Sequence, residues 1–332
     1  MRAPDFWGPN RRGPWPALLA PVACGWAAAS RLRQCIAKAE AVAVPVICVG
    51  NLVVGGAGKT PTVLALLGRF RDKGVNVHCL SRGYGGIAKG PLRVDRARHG
   101  AGRVGDEALL LAEVAPTWVG RDRVALSRAA VAAGAELLVL DDGYQDPSLK
   151  KDFSLLVVDG DYGFGNGWVM PAGPLREPLG FGLARADGVV WLGEAAPASA
   201  LLPPGLPTLR AKLVPTPEAA RFAGVPVVAF AGIGRPEKFF TTLKEIGCRL
   251  VRTQGFPDHH YYEPAEIRRL AAFAAAARAR LVTTAKDWAR LSAAERPLAE
   301  MVEVTLEFDD PPALDRLFAP LLARVRADVA AR

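Results

Sequence analysis

One stretch constrains this chain more than any other. It is Gly50-Asn51-Leu52-Val53-Val54-Gly55-Gly56-Ala57-Gly58-Lys59-Thr60-Pro61, set between an apolar run at 44–49 and Thr62-Val63-Leu64-Ala65-Leu66-Leu67, which reads as a helix. A strand, a glycine turn and Lys-Thr opening a helix are how a chain holds a polyphosphate. Glycines let backbone N–H groups close on the anion and the helix N-terminus adds partial positive charge. Lys59 adds a full charge, and the Thr60 hydroxyl can hold Mg²⁺. The strict pattern, Gly-x-x-x-x-Gly-Lys-Ser/Thr, fails at its first glycine, where Val53 stands. The residues read as binding a nucleotide are Val53, Val54, Gly55, Gly56, Ala57, Gly58, Lys59 and Thr60.

Around this loop, strand-like runs alternate with helical ones. The run at 44–49 leads to a helix at 62–71, then a strand at 75–80 and a helix at 106–114. A short strand at 117–119, a helix at 123–133 and apolar strands at 135–140, 153–158 and 188–191 follow. Apolar strands joined by helical crossovers make a parallel sheet covered on both faces, with ligands at the carboxyl ends of its strands. Prolines cluster at 203–217. A second alternation then begins, with strands at 227–231, 249–253 and 280–284, helices at 236–246 and 264–277, and a last helix at 312–325. The fold class expected is therefore α/β: a P-loop NTPase-like parallel sheet covered by helices, plus a smaller C-terminal α/β domain. The divisions are 1–40, 41–224 and 225–332, with the last helix free to pack on either unit. Two folded units also suit 332 residues, at about 150 residues per domain.

A net charge of +9 favours an anionic partner without choosing among phosphates, nucleic acid and an acidic membrane face. The five cysteines include no Cys-x-x-Cys pair, which points away from a disulfide framework or zinc site and towards a reducing cytosol. Near the N-terminus Arg11-Arg12 precede an apolar stretch at 18–29, with Trp15 and Trp26 near its ends and Arg31, Arg33 and Lys38 beyond. This is too short to span a bilayer, which takes about 20 residues. An exported leader would strand a nucleotide loop outside the cell. Two readings stay open: a helix lying in the membrane interface, and a helix packed on the protein's own core.

Several polar motifs fall just after strand ends. The strand ending in Asp141-Asp142 places carboxylates where a nucleotide's Mg²⁺ sits, although Asp-Asp-Gly is also a plain turn. Asp106-Glu107 opens a helix, where an acid either offsets the helix dipole or faces the nucleotide. Arg82 and Tyr84 on Ser81-Arg82-Gly83-Tyr84-Gly85-Gly86 suit an anionic, ring-bearing substrate, or form a solvated turn. Asp258-His259-His260 can be a base or proton shuttle, or a surface turn. Pro171-Ala172-Gly173-Pro174-Leu175-Arg176-Glu177-Pro178 is a stiff loop that either places charges or merely connects.

Taken together, these motifs resemble the tetraacyldisaccharide 4′-kinase family of lipid A biosynthesis over nearly the whole chain. The matching pieces also include Val119-Gly120-Arg121, Asp141-Asp142-Gly143-Tyr144-Gln145, Ala231-Gly232-Ile233, Phe256-Pro257-Asp258-His259 and Thr283-Thr284-Ala285-Lys286-Asp287. The resemblance implies transfer of the ATP γ-phosphate to the 4′-hydroxyl of a tetraacylated glucosamine disaccharide 1-phosphate. It places the work at the cytoplasmic face of the inner membrane, as a peripheral protein on an anionic surface. It also implies residue roles: 53–60 bind ATP; Thr60, Asp141 and Asp142 position Mg²⁺, with Glu177 joining them; Asp106 pairs with His259 in catalysis beside Lys59; Arg82, Tyr84 and Arg121 face the substrate. A monomer without a nucleic-acid partner is expected. One departure stands out: Asp146 occupies a position where the family usually has a histidine.

The competing class is a switch-type P-loop NTPase that partitions cargo or loads metals. Those proteins usually carry a lysine where Val54 stands, and the guanine-reading Asn-Lys-x-Asp is missing. A soluble small-molecule kinase would leave the Trp-flanked N-terminal stretch and the positive charge without a role.

Overall fold

The computed structural model describes residues 4–9, 13–194 and 197–330; Arg11 and Arg12 lie outside them. Helix α1 (Trp15–Ile36) leads to β1 (Val46–Gly50), α2 (Lys59–Asp72), β2 (Val77–Ser81), β3 (Leu92–Arg93), α3 (Ala101–Val104), α4 (Asp106–Val114) and β4 (Thr117–Val119). Next come α5 (Arg123–Ala132), β5 (Leu137–Asp141), β6 (Phe153–Asp159), α6 (Leu179–Leu183), β7 (Gly188–Leu192) and β8 (Thr208–Pro215). The chain closes with β9 (Pro226–Ala231), α7 (Pro236–Glu245), β10 (Arg249–Gly255), α8 (Pro264–Ala276), β11 (Arg280–Thr284), α9 (Ala285–Arg290), β12 (Glu300–Val302), β13 (Val304–Phe308) and α10 (Pro311–Ala330).

Among the described residues the strands form two sheets. The larger has nine, in the order β13-β8-β7-β6-β1-β5-β2-β4-β3, and the smaller four, β10-β9-β11-β12. The central strands pair in parallel, as near-continuous apolar runs should when both faces are covered. Leu66, Phe70 and Phe318 pack on one face, and Leu126, Tyr144 and Trp191 on the other. The smaller sheet is likewise parallel, with Phe239 and Leu243 on one side and Ile267 and Leu270 on the other.

The register decides where the chemistry falls. Strand β5 lies between β1 and β2, and Val49 stands opposite Asp141. The acid that ends β5 is thereby delivered beside the start of the glycine loop that follows β1.

Among the elements the sequence did not announce, β8 and β13 shape the layout of the larger sheet. The proline-bounded segment near 208–215 is a strand whose inner residues, Leu209 and Ala211, alternate with exposed Arg210 and Lys212. Its half-polar period hides it among prolines. The tail of the expected 225–332 unit returns to the larger sheet, where β13 pairs antiparallel with β8 and α10 packs behind it. Phe318 anchors that return, edge-on to Phe70 at 5.4 Å between ring centroids and 4.8 Å from Phe153. Phe318→Ala should therefore lower unfolding free energy by about 3–5 kcal/mol in urea melts. A loss below about 1 kcal/mol would mean that α10 is not part of this core.

Helix α1 buries only Pro16 and Ala23, while Trp15, Leu18, Val22, Trp26, Leu32 and Ile36 are exposed. No described helix is long and apolar enough to cross a membrane.

Candidate active site

The glycine loop is shaped by two contacts the sequence only hinted at. Gly58, at φ +83°, opens α2, and a Cβ there would lie 2.1 Å from the Leu192 side chain, so both backbone and space demand glycine. Val53, at the position of the missing first glycine, forms an antiparallel bridge with Leu175, and Val54 N donates to Pro174 O at 2.9 Å. An extended residue pinned against the 171–178 loop has no need of glycine's conformational freedom. Lys59 Nζ donates to Asn51 Oδ1 at 3.2 Å and lies 3.7 Å from Asp142 Oδ1. Burial pulls its pKa below the ordinary lysine value, although Asp142 opposes the shift.

The two aspartates at the end of β5 part company. Asp141 is buried, its Oδ2 accepts from Ser81 Oγ at 3.4 Å, and its Oδ1 has no partner. Burial, then the charges of Glu107 and Asp142, push its pKa up to about 7. Asp142 sits at φ +51° and turns its carboxylate to Arg176, with Nη1 at 3.2 Å. Burial raises the Asp142 pKa, but Lys59 and Arg176 outweigh it and hold the group below its usual value. Thr60 Oγ1 donates to Glu107 Oε1 at 3.1 Å.

Glu177, expected beside them as a metal ligand, is placed otherwise. It is fully buried, Oε1 accepts from Gln145 Nε2 at 3.0 Å, and Oε2 is ion-paired with Arg185. With both oxygens engaged it braces the 143–146 turn against the 171–178 loop. Asp146 caps the same turn, accepting from the Ser148 backbone N–H and hydroxyl.

The carboxyl ends of the two sheets face each other across this loop. A Cβ on Gly234, after β9, would stand 3.2 Å from Gly56 N, so glycine permits the approach. From the loop after β10, His259 sits at φ +56°, with Nδ1 3.3 Å from Asp106 Oδ2. A non-glycine residue held there is strained, and such strain concentrates at functional sites. Asp106 starts α4 and is buried. Burial pushes its pKa up, but the hydrogen bond from His259 and the Arg290 charge prevail, so the carboxyl stays well below the usual range. In return the Asp106 hydrogen bond raises the pKa of His259 above its ordinary value, against burial. Tyr84 is exposed and lies over His259 at 4.9 Å between ring centroids. Arg82 and Arg121 are exposed at the same end of the larger sheet, after β2 and β4.

Four further residues join this site. Lys286 Nζ lies 2.5 Å from Glu107 Oε1, and Arg290 Nε donates to Asp106 Oδ2 at 2.7 Å, both reaching across from α9. Asn51 holds Lys59, and Arg176 holds Asp142. Sequence reasoning named the motifs that hold Asn51, Arg176 and Lys286 without assigning these residues a role, and did not name Arg290. The available signal was the four-residue spacing of Lys286 and Arg290, which puts two cations on one helical face.

The family model described as Tetraacyldisaccharide-1-P 4′-kinase matches residues 15–323. Proteins named tetraacyldisaccharide 4′-kinase from Rhodospirillum centenum and Gluconacetobacter diazotrophicus are 56% and 54% identical, with 97% and 96% of this chain aligned to 97% of each relative. The crystal structure of the "apo" form of LpxK from Aquifex aeolicus in complex with ATP superposes with a TM-score of 0.72 at 25% identity, covering 92% of this chain and 99% of that one. The chain belongs to the tetraacyldisaccharide 4′-kinase family, the phosphotransferases of lipid A biosynthesis.

Proposed function

We propose that this chain transfers the γ-phosphate of ATP to the 4′-hydroxyl of tetraacyldisaccharide 1-phosphate, and that Asp106 and His259 remove the hydroxyl's proton. The observation that carries the reading is the meeting of His259, from the smaller sheet, with Asp106, across from the Lys59 loop of the larger one. Asp106, ionised, accepts the hydrogen bond from His259 Nδ1–H, which leaves Nε2 to accept the proton of the sugar hydroxyl. A hydroxyl is a weak acid, so this assistance matters as the new bond forms. Most of the rate comes from alignment and from charge neutralisation by Lys59 and the loop N–H groups.

Mg²⁺ fits Thr60 and Asp141. A hydroxyl that donates to Glu107 turns lone pairs outward, and Asp141 Oδ1 is a buried acceptor with no partner. Among the described residues no three His, Cys, Asp or Glu side chains gather for a metal. A cation held by one or two carboxylates together with substrate phosphates requires no such cluster. When bound, it neutralises charge on the β- and γ-phosphates. Asp142 and Glu177, engaged by Arg176 and Arg185, support the site instead. Arg82, Arg121 and Tyr84 are proposed to meet the sugar and phosphate of the lipid.

The test is the product. Tandem mass spectrometry of the lipid after reaction should find one new phosphate, on the 4′-hydroxyl. Phosphate at another hydroxyl, or only free phosphate, overturns the reading.

The proposed setting is the cytoplasmic face of the inner membrane, with the chain bound peripherally as a monomer. Leu18 and Val22, 66% and 61% exposed on α1, are proposed to enter the headgroup boundary. Each apolar side chain so buried contributes about 1.5–3 kcal/mol, so Leu18→Ser with Val22→Ser should reduce vesicle-bound protein in flotation by at least tenfold or so. Unchanged flotation would sink this use of α1 and favour a soluble kinase.

A further inference from the structure

Two adjacent acids open α4, and two cations one helical turn apart on α9 meet them. Lys286 pairs with Glu107 and Arg290 with Asp106. The guanidinium of Arg290 is fixed on three sides. Nε donates to Asp106 Oδ2 at 2.7 Å, and Nη1 donates to Gly232 O at 2.8 Å and Asp287 Oδ1 at 2.9 Å. Asp287 is held in turn by the Tyr262 hydroxyl at 2.7 Å and the Gly232 N–H at 2.9 Å. Arg290 Nη2 also lies 3.4 Å from His259 Nδ1. The fork therefore reaches both members of the proposed base from a helix of the smaller sheet.

We propose that Arg290 is a positioning residue for phosphoryl transfer: by gripping Asp106 from α9 while abutting His259, it assembles the Asp106–His259 pair when the two sheets are docked. The proposal rests on the reading of that pair as the base. A guanidinium only donates hydrogen bonds and is always charged. It holds Asp106 ionised and fixes the carboxylate plane, while its charge disfavours a proton on the neighbouring imidazole. Asp106 acts the opposite way on His259. The two together set the ring between a carboxylate that attracts a proton to Nδ1 and a cation that limits how tightly that proton is kept. Lys286 steadies the same helix end by holding Glu107, the acceptor of the Thr60 hydroxyl.

The charged and titratable groups facing His259 are Asp106 on α4, Arg290 on α9, Asp258 on its own loop, with Oδ1 3.9 Å from Nε2, and Tyr84 on the loop after β2. Removing Arg290 takes away a cation beside the imidazole and frees Asp106 Oδ2 from its guanidinium partner. The imidazole then keeps its proton to higher pH, and the rising limb of kcat against pH moves to the alkaline side. Asp106→Asn moves it to the acid side.

The experiment uses the full chain with vesicles carrying tetraacyldisaccharide 1-phosphate, saturating ATP and Mg²⁺. It measures kcat, both KM values and the pH profile of wild type, Arg290→Gln and Arg290→Lys, each with a thermal melt. For Arg290→Gln the expected result is a loss of kcat of about 10²-fold, as for a misplaced catalytic group. Both KM values should stay within threefold or so, with the limb displaced towards alkaline pH. Arg290→Lys keeps the charge without the fork and should fall between the two. Unchanged kcat, or a fall in kcat with the limb unmoved, overturns the proposal. If Arg290→Gln does not fold, the limb of Arg290→Lys decides in the same way. A wild-type chain that transfers nothing to the lipid refutes the proposed function itself, whereas an active wild type with indifferent Arg290 variants refutes only this inference.

Discussion

Lys59→Ala is expected to lower kcat for transfer to the lipid by at least 10²–10³-fold or so, the range seen when one preorganised charge-stabilising donor is lost. Lys59 is nearly buried between Asn51 and Asp142 at the first residue of α2. Asp142 opposes the loss of the Lys59 charge to burial, and little water is left to screen that charge from a bound phosphate. Transferring a phosphoryl group asks the protein chiefly for position and positive charge, which is what this side chain supplies. The fold should survive, because Arg176 still holds Asp142 when Lys59 is gone. A melting temperature near wild type together with the lost rate is the expected pair of results. A rate within threefold of wild type would remove Lys59 from the site.

The second large effect is at the cross-sheet pair. His259→Ala and Asp106→Asn should each cost about 10²–10⁴-fold in kcat, the range for a lost general base. The double variant should cost little more than the worse single one, since the two act as a unit. The pH dependence gives the sign. The Asp106 hydrogen bond raises the His259 pKa above its ordinary value. Because Nε2 must be free to accept, wild-type kcat rises with pH through that raised pKa. In Asp106→Asn the carboxylate charge is gone, the imidazole loses its proton at lower pH, and the residual activity rises earlier. Measured profiles of the three proteins decide the matter. A limb that stays in place in Asp106→Asn would mean that the pair does not titrate the reaction.

Much of this was legible before any coordinates, and the reason is local. The phosphate loop is written in contiguous residues, as are Asp106 at a helix start and Asp141-Asp142 at a strand end. Each needs only strand and helix to fall in the expected order. What stayed hidden depends on tertiary geometry. That the Asp142 carboxylate meets Arg176, more than thirty residues away, depends on Asp142 adopting φ +51°. Nothing nearby in sequence announces Arg185 and Gln145 as the partners of Glu177. Strand β8 was lost among prolines, and β13 with α10 could be assigned to the larger sheet only by pairing with it. Lys286 and Arg290 are separated from Asp106 and Glu107 by about half the chain, so only the docking of the two sheets brings the four charges together.

In the proposed reaction the Lys59 loop and the Asp106–His259 pair form one site acting on ATP and a membrane lipid. That joint role is tested most directly by transfer of label from [γ-³²P]ATP to tetraacyldisaccharide 1-phosphate in vesicles, run side by side with wild type, Lys59→Ala and His259→Ala. Labelled lipid is expected from wild type, almost none from Lys59→Ala and a greatly slowed yield from His259→Ala. Absence of labelled lipid from the intact chain, or equal labelling by all three, would contradict it.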